Sequence, residues 1–176
     1  MERALDGISD VILLAGLVGD PITKKYPEKS QAINLEGILQ VVRALNGRGL
    51  NRVIFISTCS NYGLIGPDET ADENFELNPL SLYAKAKVVI EQELLALRRQ
   101  VDYHATILRF ATAFGLSPRM RFDLTVNEFT REIFLGRELL VYDAETWRPY
   151  CHVRDFSRAV DQVLQAPEEK VSFEVF

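Results

Sequence analysis

Three short apolar runs, separated by two long segments of helical periodicity, constrain the fold of this chain more than any other feature. The runs cover residues 10–16, 52–57 and 104–110, and their continuous apolar character is typical of strands buried on both faces. The segments 30–46 and 81–100 between them repeat apolar residues about every 3.6 positions. Strands that alternate with helices in this way predict βαβ units with right-handed crossovers. We therefore expect an α/β fold with a parallel sheet and flanking helices.

The carboxyl ends of the three predicted strands carry small or hydroxyl-bearing residues. These ends are Ala15-Gly16, Ser57-Thr58 and Ala111-Thr112. Ligands of open parallel sheets bind outside the carboxyl ends of the strands. Small residues such as Ala15 and Gly16 let a ligand approach the backbone closely. The sequence thus predicts one crevice bordered by three loops.

Tyr83 and Lys87 form the strongest candidate for chemistry. They are i and i+4 on the second predicted helix, so their side chains share one face. A lysine ammonium close to a phenol favours the phenolate and lowers the pKa of the phenol. A Tyr-x-x-x-Lys spacing alone is a weak signal, but here it follows a strand whose end offers the hydroxyl of Ser57 or Thr58. The pattern predicts a proton-transferring tyrosine, a cation that tunes it and a hydroxyl donor.

The remaining segments give weaker expectations. Residues 124–135 read as a helix, 139–142 as a short strand, and 171–176 as an alternating, strand-like end. Asp155 is a plausible N-cap for a helix that reaches residue 165. Gly37 lies inside the first long helix, where glycine costs about 1 kcal/mol relative to alanine, so close packing on the sheet is the expected reason for it.

Composition narrows the class of protein. The chain has 176 residues, a net charge of −5 and 47% hydrophobic residues, which suits one globular domain or a large part of one. It has no basic block, which argues against nucleic acid or an anionic membrane as the main partner. Two isolated cysteines, Cys59 and Cys151, make neither a disulfide scaffold nor a metal cluster, so we expect no metal site and a reducing compartment. No apolar run approaches about 18 residues and the start lacks signal-peptide character, so a cytoplasmic location is expected.

Five motifs in this order resemble those of the extended short-chain dehydrogenase/reductase family, the NAD-dependent nucleotide-sugar epimerases and dehydratases. Each motif is weak by itself, but their order and spacing are specific, and the resemblance extends over nearly the whole chain. They are Asn34-Leu35-Glu36-Gly37 (Asn-x-x-Gly), Ser57-Thr58 with Tyr62-Gly63 (Ser-Ser/Thr-x-x-x-Tyr-Gly), Tyr83 to Lys87 (Tyr-x-x-x-Lys), Arg109 to Gly115 (Leu-Arg…Gly) and 148–155 (Arg-x-aromatic-x-His-Val-x-Asp).

The resemblance implies a partial Rossmann-like domain. Residues 1–115 would be the C-terminal part of a dinucleotide-binding domain, and 116–176 part of a small substrate-binding region interleaved with the Rossmann core. The family's N-terminal glycine-rich turn, which cradles a pyrophosphate, has no counterpart in this sequence. We therefore expect an internal fragment or truncated product, with an apolar edge at the first strand and weak or no dinucleotide binding by the chain alone.

The resemblance also assigns roles to residues. Tyr83 would remove a proton from a sugar hydroxyl while hydride passes to the nicotinamide, Lys87 would keep the phenolate, and Thr58 would hydrogen-bond the same sugar oxygen. NAD or NADP is the expected cofactor, and a nucleotide sugar the expected substrate. The expected cofactor-binding residues are Leu14, Ala15, Gly16, Asn34 and Ser57, together with Tyr83 and Lys87. The expected substrate-binding residues are Thr58, Thr112, Asn127 and Arg148, with Arg148 as a phosphate clamp.

Several functions remain open at the level of sequence. Dehydratases of the family carry Asp-Glu after the Thr58 equivalent, whereas this chain has Cys59-Ser60, which favours an epimerase or a simple reductase. One alternative is a truncated, non-catalytic or regulatory member; another is a reductase of a non-nucleotide substrate, which Arg148 counts against. Arg119 and Arg121 are expected at the surface and His152 in a structural role. The resemblance further implies a homodimer that pairs the helix at 81–100 with its copy.

Overall fold

The computed structural model describes residues 2–66, 68–142 and 144–176 and contains a parallel four-stranded sheet. The order of its strands is β1-β2-β3-β6, and a separate two-stranded sheet pairs β4 with β5. Every pair is parallel, with Asp10 opposite Arg52 and Arg52 opposite His104. The strands are β1 (Asp10–Leu13), β2 (Arg52–Thr58), β3 (His104–Phe110), β4 (Thr112–Phe114), β5 (Tyr150–His152) and β6 (Glu174–Val175).

Helices join the strands as the periodicity predicts. A π-helical segment, Gln31–Gly37, links α3 to α4, and 3₁₀ turns follow β2 (Cys59–Tyr62) and α5 (Leu97–Arg99). The helices are α1 (Glu2–Leu5), α2 (Asp20–Lys25), α3 (Pro27–Ser30), α4 (Ile38–Ala44), α5 (Leu82–Ala96), α6 (Thr125–Phe134), α7 (Val153–Gln165) and α8 (Glu168–Val171). The predicted α/β class and parallel sheet are therefore confirmed.

The sheet is covered by helices on both faces, which explains the continuous apolar runs. Phe55 and Ile107 point to one face and pack with buried residues of α4 and α5, such as Ile90. Ile54 and Leu108, next along the same strands, point to the other face and pack with Val163 of α7 and its neighbours. Successive side chains of a strand alternate between faces, so both clusters draw on the same two strands.

β1 is an edge strand of the described sheet. It pairs with β2 alone, and its Ile12 is 39% exposed. The strand ends at Leu13, so Leu14 to Gly16 form a loop rather than the end of a longer strand. This arrangement gives the apolar edge expected from the sequence.

The predicted strand at 139–142 is wrong. Its residues form no strand, and Leu140, Val141 and Tyr142 are all more than half exposed. A short apolar run becomes a strand only where a neighbouring strand completes its hydrogen bonds, and none pairs with this segment in the described part of the chain. The strand in this region is β5, at Tyr150–His152, beside β4.

The predicted N-cap at Asp155 is also wrong, because α7 begins directly after β5. His152 is the N-cap, and its Nδ1 accepts a hydrogen bond from the backbone N–H of Arg154 at 3.2 Å. Asp155 lies in the first turn of the helix and pairs with Arg158 at 3.2 Å. Its carboxylate favours the helix N-terminus electrostatically rather than as a cap.

Two further expectations need correction. A Cβ on Gly37 would meet the carbonyl oxygen of Ala32 at 3.1 Å, so the π-helical turn, rather than packing on the sheet, is the close neighbour. Residues 171–176 contribute only the two-residue β6, because Val171 ends α8 and Phe173 turns the chain at φ 56°.

Within the described residues, no helix is long and apolar enough to cross a membrane. The same residues contain no group of three or more His, Cys, Asp or Glu side chains arranged to hold a metal ion.

Candidate active site

The C-terminal end of β2 brings two hydroxyl groups to the edge of the sheet. Ser57 and Thr58 are both buried. The Oγ1 of Thr58 accepts a hydrogen bond from the backbone N–H of Ser60 at 3.2 Å and so caps the following 3₁₀ turn. The Thr58 side chain also hydrogen-bonds the neighbouring Cys59, which lowers the pKa of that thiol against the larger, raising effect of burial.

Helix α5 places Tyr83 and Lys87 beside this end of β2. Ser81 caps the helix by accepting a hydrogen bond from the N–H of Ala84 at 3.1 Å. The Nζ of Lys87 donates to the carbonyl of Ile56 at 2.6 Å and lies 5.5 Å from the ring centroid of Tyr83. The expected shared face is therefore present, and the ammonium is fixed against β2.

The expected direction of the Tyr83 pKa is wrong for this ligand-free chain. Burial raises the pKa of the Tyr83 phenol, and the Cys59 thiol adds to the rise, while the Arg121 guanidinium opposes it. Burial also lowers the pKa of Lys87 to about 8, with the Glu91 carboxylate acting in the opposite direction. Desolvation disfavours both charged forms and is the largest cause of both shifts.

The loop after β1 is shaped by Asn34. Its Oδ1 accepts from the N–H of Leu17 at 2.6 Å, and its Nδ2 donates to the carbonyl of Leu17 at 2.9 Å and to Ser30 Oγ at 3.2 Å. A Cβ on Gly16 would lie 3.0 Å from Asn34 Oδ1. The Asn34 amide, which was predicted to bind a cofactor, is thus used to hold the loop. Leu14, in the same loop, is 65% exposed.

The substrate-side residues converge through the small sheet. Thr112 of β4 lies opposite Tyr150 of β5, and its N–H donates to the carbonyl of Pro149 at 3.1 Å. This pairing brings the neighbouring Arg148 close to Cys59, which follows β2. Burial raises the pKa of the Cys59 thiol, and the Arg148 guanidinium partly opposes that rise. Arg148 itself is exposed and free to meet an anion at this edge.

Asn127 ties two parts of the substrate-side loop together. Its Oδ1 accepts from the N–H of Gly115 at 3.3 Å, and its Nδ2 donates to the carbonyl of Arg121 at 3.1 Å. The side chain predicted to bind substrate therefore fixes the loop that starts after β4.

Arg121, expected at the surface, points into the site instead. Its Nη2 would lie 3.3 Å from a Cβ on Gly19, and it pairs with Asp123 at 2.6 Å. Its charge opposes the rise in the pKa of Tyr83. Sequence spacing gives no sign of this position, because it depends on the path of an irregular loop.

A buried ion pair behind the site was also missed. Glu91 of α5 and Arg109 of β3 meet at 2.7 Å, with side chains only 2% and 7% exposed. Asn61 Nδ2 donates to Glu91 Oε1 at 2.8 Å and to Ser57 Oγ at 3.1 Å. One signal was present in the sequence: Glu91 continues the i, i+4 series of Tyr83 and Lys87.

The loop at 64–79 is fixed close to the site by Gly63. The N–H of Asn78 donates to the carbonyl of Asn61 at 3.0 Å. Gly63 has φ 74°, and a Cβ there would overlap the carbonyl oxygen of Asn78. Only glycine fits this approach without strain.

The chain is similar to a known protein family over its whole length. The family model "NAD dependent epimerase/dehydratase family" matches residues 1–176. The uncharacterized UDP-glucose epimerase YtcB of Bacillus subtilis (strain 168) is 26% identical over 169 residues, which cover 95% of this chain and 52% of YtcB. The UDP-glucose 4-epimerase of Rhizobium leguminosarum bv. trifolii is 28% identical over 175 residues, covering 88% of this chain and 53% of that enzyme.

A solved structure of MoeE5 in complex with UDP-glucose and NAD superposes with a TM-score of 0.83 at 27% identity, covering 98% of this chain and 57% of MoeE5. The chain spans about half the length of these relatives. Because the family model matches from the first residue to the last, the chain belongs to the NAD-dependent epimerase/dehydratase family.

Proposed function

We propose that this chain carries the proton-transfer and substrate-binding part of an NAD(P)-dependent nucleotide-sugar epimerase. The observation that carries the proposal is the placement of Tyr83 beside the end of β2, with Lys87 Nζ 5.5 Å from its ring and donating to Ile56. Two of the relatives are UDP-glucose epimerases by name, and MoeE5 binds UDP-glucose and NAD.

The residues around the loop after β1 fit a dinucleotide. Asn34 holds this loop by both edges of its amide, and Gly16 has no side chain to fill the space beside it. Ser57, Tyr83 and Lys87 lie at the next strand end, so Leu14 to Gly16 and these three residues would hold the cofactor together. When bound, NAD or NADP supplies the acceptor that takes a hydride from the sugar and returns it.

The residues of the chain supply the proton chemistry. Tyr83 would remove the proton of a sugar hydroxyl as a phenolate and later give it back. Because burial raises the pKa of this phenol, its ionisation needs alkaline pH or added positive charge at the site. Thr58 would donate its hydroxyl proton to the same oxygen in exchange for its hydrogen bond with Cys59, and Lys87 holds a positive charge beneath the phenol. Return of the hydride to the opposite face of the sugar carbon inverts that carbon, which is epimerisation.

We assign recognition of the substrate's diphosphate to Arg148. Arg148 is carried to the end of β2 by the pairing of β4 with β5, and its planar guanidinium suits a diphosphate. Thr112 lies at the same edge, and Asn127 holds the adjoining loop. We assign residues 1–115 to the dinucleotide-binding unit and 116–176 to the substrate-binding region; α7, α8 and β6 of the latter return to the main sheet.

The test is conversion of a UDP-hexose to its 4-epimer by the longest polypeptide in which this chain occurs, with NAD supplied. Tyr83→Phe is expected to lower turnover at least about 100-fold, the usual contribution of a positioned acid/base. Tyr142→Phe, which alters a tyrosine that is 78% exposed, is the matched control. Full turnover by Tyr83→Phe would reject the proposal.

The same preparation separates the alternatives. A non-catalytic member would bind NAD weakly and give no turnover in the parent protein. A reductase of a non-nucleotide substrate would consume NADH or NADPH with a ketone, and Arg148→Gln would leave its KM unchanged.

A further inference from the structure

Beneath the candidate site lies a buried polar cluster, of which the proposed chemistry uses Ser57 alone. It consists of Glu91, Arg109, Asn61 and Ser57, all held by side-chain hydrogen bonds. Its centre is the Glu91 carboxylate, which accepts from Arg109 Nη2 at 2.7 Å, Arg109 Nε at 3.1 Å and Asn61 Nδ2 at 2.8 Å. A buried carboxylate with only donors around it is well suited to carry a full negative charge.

The orientation of Asn61 supports this. Its amide gives hydrogen bonds to Glu91 Oε1 and Ser57 Oγ, and its Oδ1 is buried without a hydrogen-bond partner. An unpaired buried oxygen costs free energy. The orientation is retained because the alternative would aim Oδ1 at the carboxylate of Glu91.

Glu91 also lies one helical turn after Lys87. Residues i and i+4 of a helix are neighbours on one face, and both side chains are buried, at 6% exposure for Lys87 and 1% for Glu91. The Lys87 ammonium has few other sources of compensation: it donates to the carbonyl of Ile56 at 2.6 Å and lies over the Phe55 ring at 4.4 Å.

We propose that Glu91 is a positioning residue of this site: its carboxylate keeps Lys87 protonated beneath Tyr83 and, through Asn61, fixes Ser57 at the end of β2. The inference rests on the proposed function for its purpose, but its physical content can be measured without cofactor or substrate. Of its two cationic neighbours, Arg109 is held by direct hydrogen bonds, and Lys87 is reached by charge alone.

Two effects act on the charge of Lys87, one from its burial and one from Glu91. Burial lowers its pKa to about 8, and Glu91 raises it against that effect. The charged, titratable and polar groups near the pair are Tyr83 and Glu91 on α5, Ile56 on β2, Cys59 in the turn after β2, Arg109 on β3 and Arg121 in the loop after β4. Glu91 is the carboxylate that supports the charged form of Lys87 among the residues that the structure describes, so its removal is expected to lower the pKa of Lys87 further.

The experiment is a pH titration of the full chain labelled with ¹³Cε-lysine and observed by NMR. The signal of Lys87 is assigned by its loss in Lys87→Met, and Lys85, exposed two residues away, is the internal reference. Glu91→Gln is expected to move the Lys87 midpoint to lower pH and leave Lys85 unchanged. Glu93→Gln is the matched control, because Glu93 lies on the same helix but pairs with the exposed Arg43 at 2.8 Å.

An unchanged Lys87 midpoint in Glu91→Gln would overturn the inference. Should that variant fail to fold, Glu91→Asp, which draws the carboxylate back by one methylene, should give a smaller shift in the same direction. Unfolding of both variants would also overturn it, since Glu91 would then be a structural residue alone. If Glu91→Gln shifts the Lys87 midpoint but the longest polypeptide in which this chain occurs gives no epimerase turnover, this inference stands and the proposed function is rejected.

Discussion

At the scale of single residues, the buried ammonium of Lys87 lowers the stability of the folded state. Its ammonium is buried at 6% exposure, and its pKa falls to about 8 from an ordinary value of 10.5. The folded state therefore holds the proton less tightly than the unfolded state does. Stability is reduced below pH 8, where Lys87 is charged in both states, and recovers as the pH rises from about 8 towards 10.5.

Replacement of this lysine should make the protein more stable at neutral pH. Removal of the buried charge should stabilise the protein by roughly 3 kcal/mol, the free energy that corresponds to a shift of this size. Loss of the hydrogen bond to Ile56 should destabilise it by about 1 kcal/mol. We expect Lys87→Met to raise the free energy of unfolding by about 2 kcal/mol at pH 7 while removing any turnover. Urea denaturation of both proteins at pH 7 and pH 9.5 checks this. The advantage of the variant should shrink at the higher pH; a variant less stable than the parent at pH 7 would contradict the expectation.

The residue scale is also where sequence reasoning did best and worst. Lys87 lies beside the ring of Tyr83 and against β2, because helical periodicity fixes the directions of both side chains; their role together with Thr58 stays a prediction. Arg121 could not be placed, since its direction depends on an irregular loop held by Asn127. The predicted fall in the pKa of Tyr83 was wrong, because burial raises this pKa and spacing along a helix carries no information about burial.

At the scale of elements, the π-helical geometry of Gln31–Gly37 could not be predicted from the sequence. Its apolar spacing was correctly assigned to a helix, but the wider turn follows from main-chain geometry rather than from residue type. It aims Asn34 at the loop after β1, where the amide makes two of its three hydrogen bonds with Leu17. Strand β5 was missed for a related reason: a three-residue strand exists only through pairing with β4.

Asn34 should therefore act on the loop rather than on the sheet. We expect Asn34→Ala to destabilise the protein by about 2 kcal/mol, because it removes three hydrogen bonds and leaves the buried amide partners unsatisfied. Hydrogen exchange at the Leu17 amide should accelerate more than exchange in β2. Gln31→Ala is the control, since Gln31 is exposed and bonds only to the exposed Glu36. Equal exchange rates at Leu17 in Asn34→Ala and the parent protein would contradict this role.

The outer face of α5 is where the homodimer expected from the sequence would form. Leu82 and Val89 are exposed there at 44% and 41%, and apolar residues grouped on one helix face favour association. If the chain is a homodimer through this face, Val89→Glu should yield a monomer by light scattering after size exclusion. Ser157→Glu, which adds the same charge on α7 at the opposite face of the sheet, should leave the mass unchanged. A parent protein that is already monomeric at micromolar concentration would refute the homodimer.

At the scale of the whole molecule, the parallel sheet and its flanking helices were predictable, because they follow from three buried runs and two periodic segments. The ion pair between Glu91 and Arg109 was not, because its partners are 18 residues apart in sequence and meet only after β3 joins the sheet. Contacts of this kind are a product of topology rather than of local pattern.

The edge position of β1 sets the expectation for cofactor binding. The described residues provide the loop after β1 but no glycine-rich turn to cradle a pyrophosphate. We expect the 176-residue chain to bind NAD with a dissociation constant weaker than about 1 mM by calorimetry. Binding tighter than about 10 μM would mean that the strands present suffice for the dinucleotide.

Gly63 has a consequence for how this protein tolerates random change. In a library that samples every codon, position 63 should accept no other amino acid, because even a methyl group would collide with the main chain of Asn78. Gly136, also at positive φ but with open space around it, should accept asparagine or aspartate. Two glycines that look alike in a list of dihedral angles would thus separate completely in their mutational spectra.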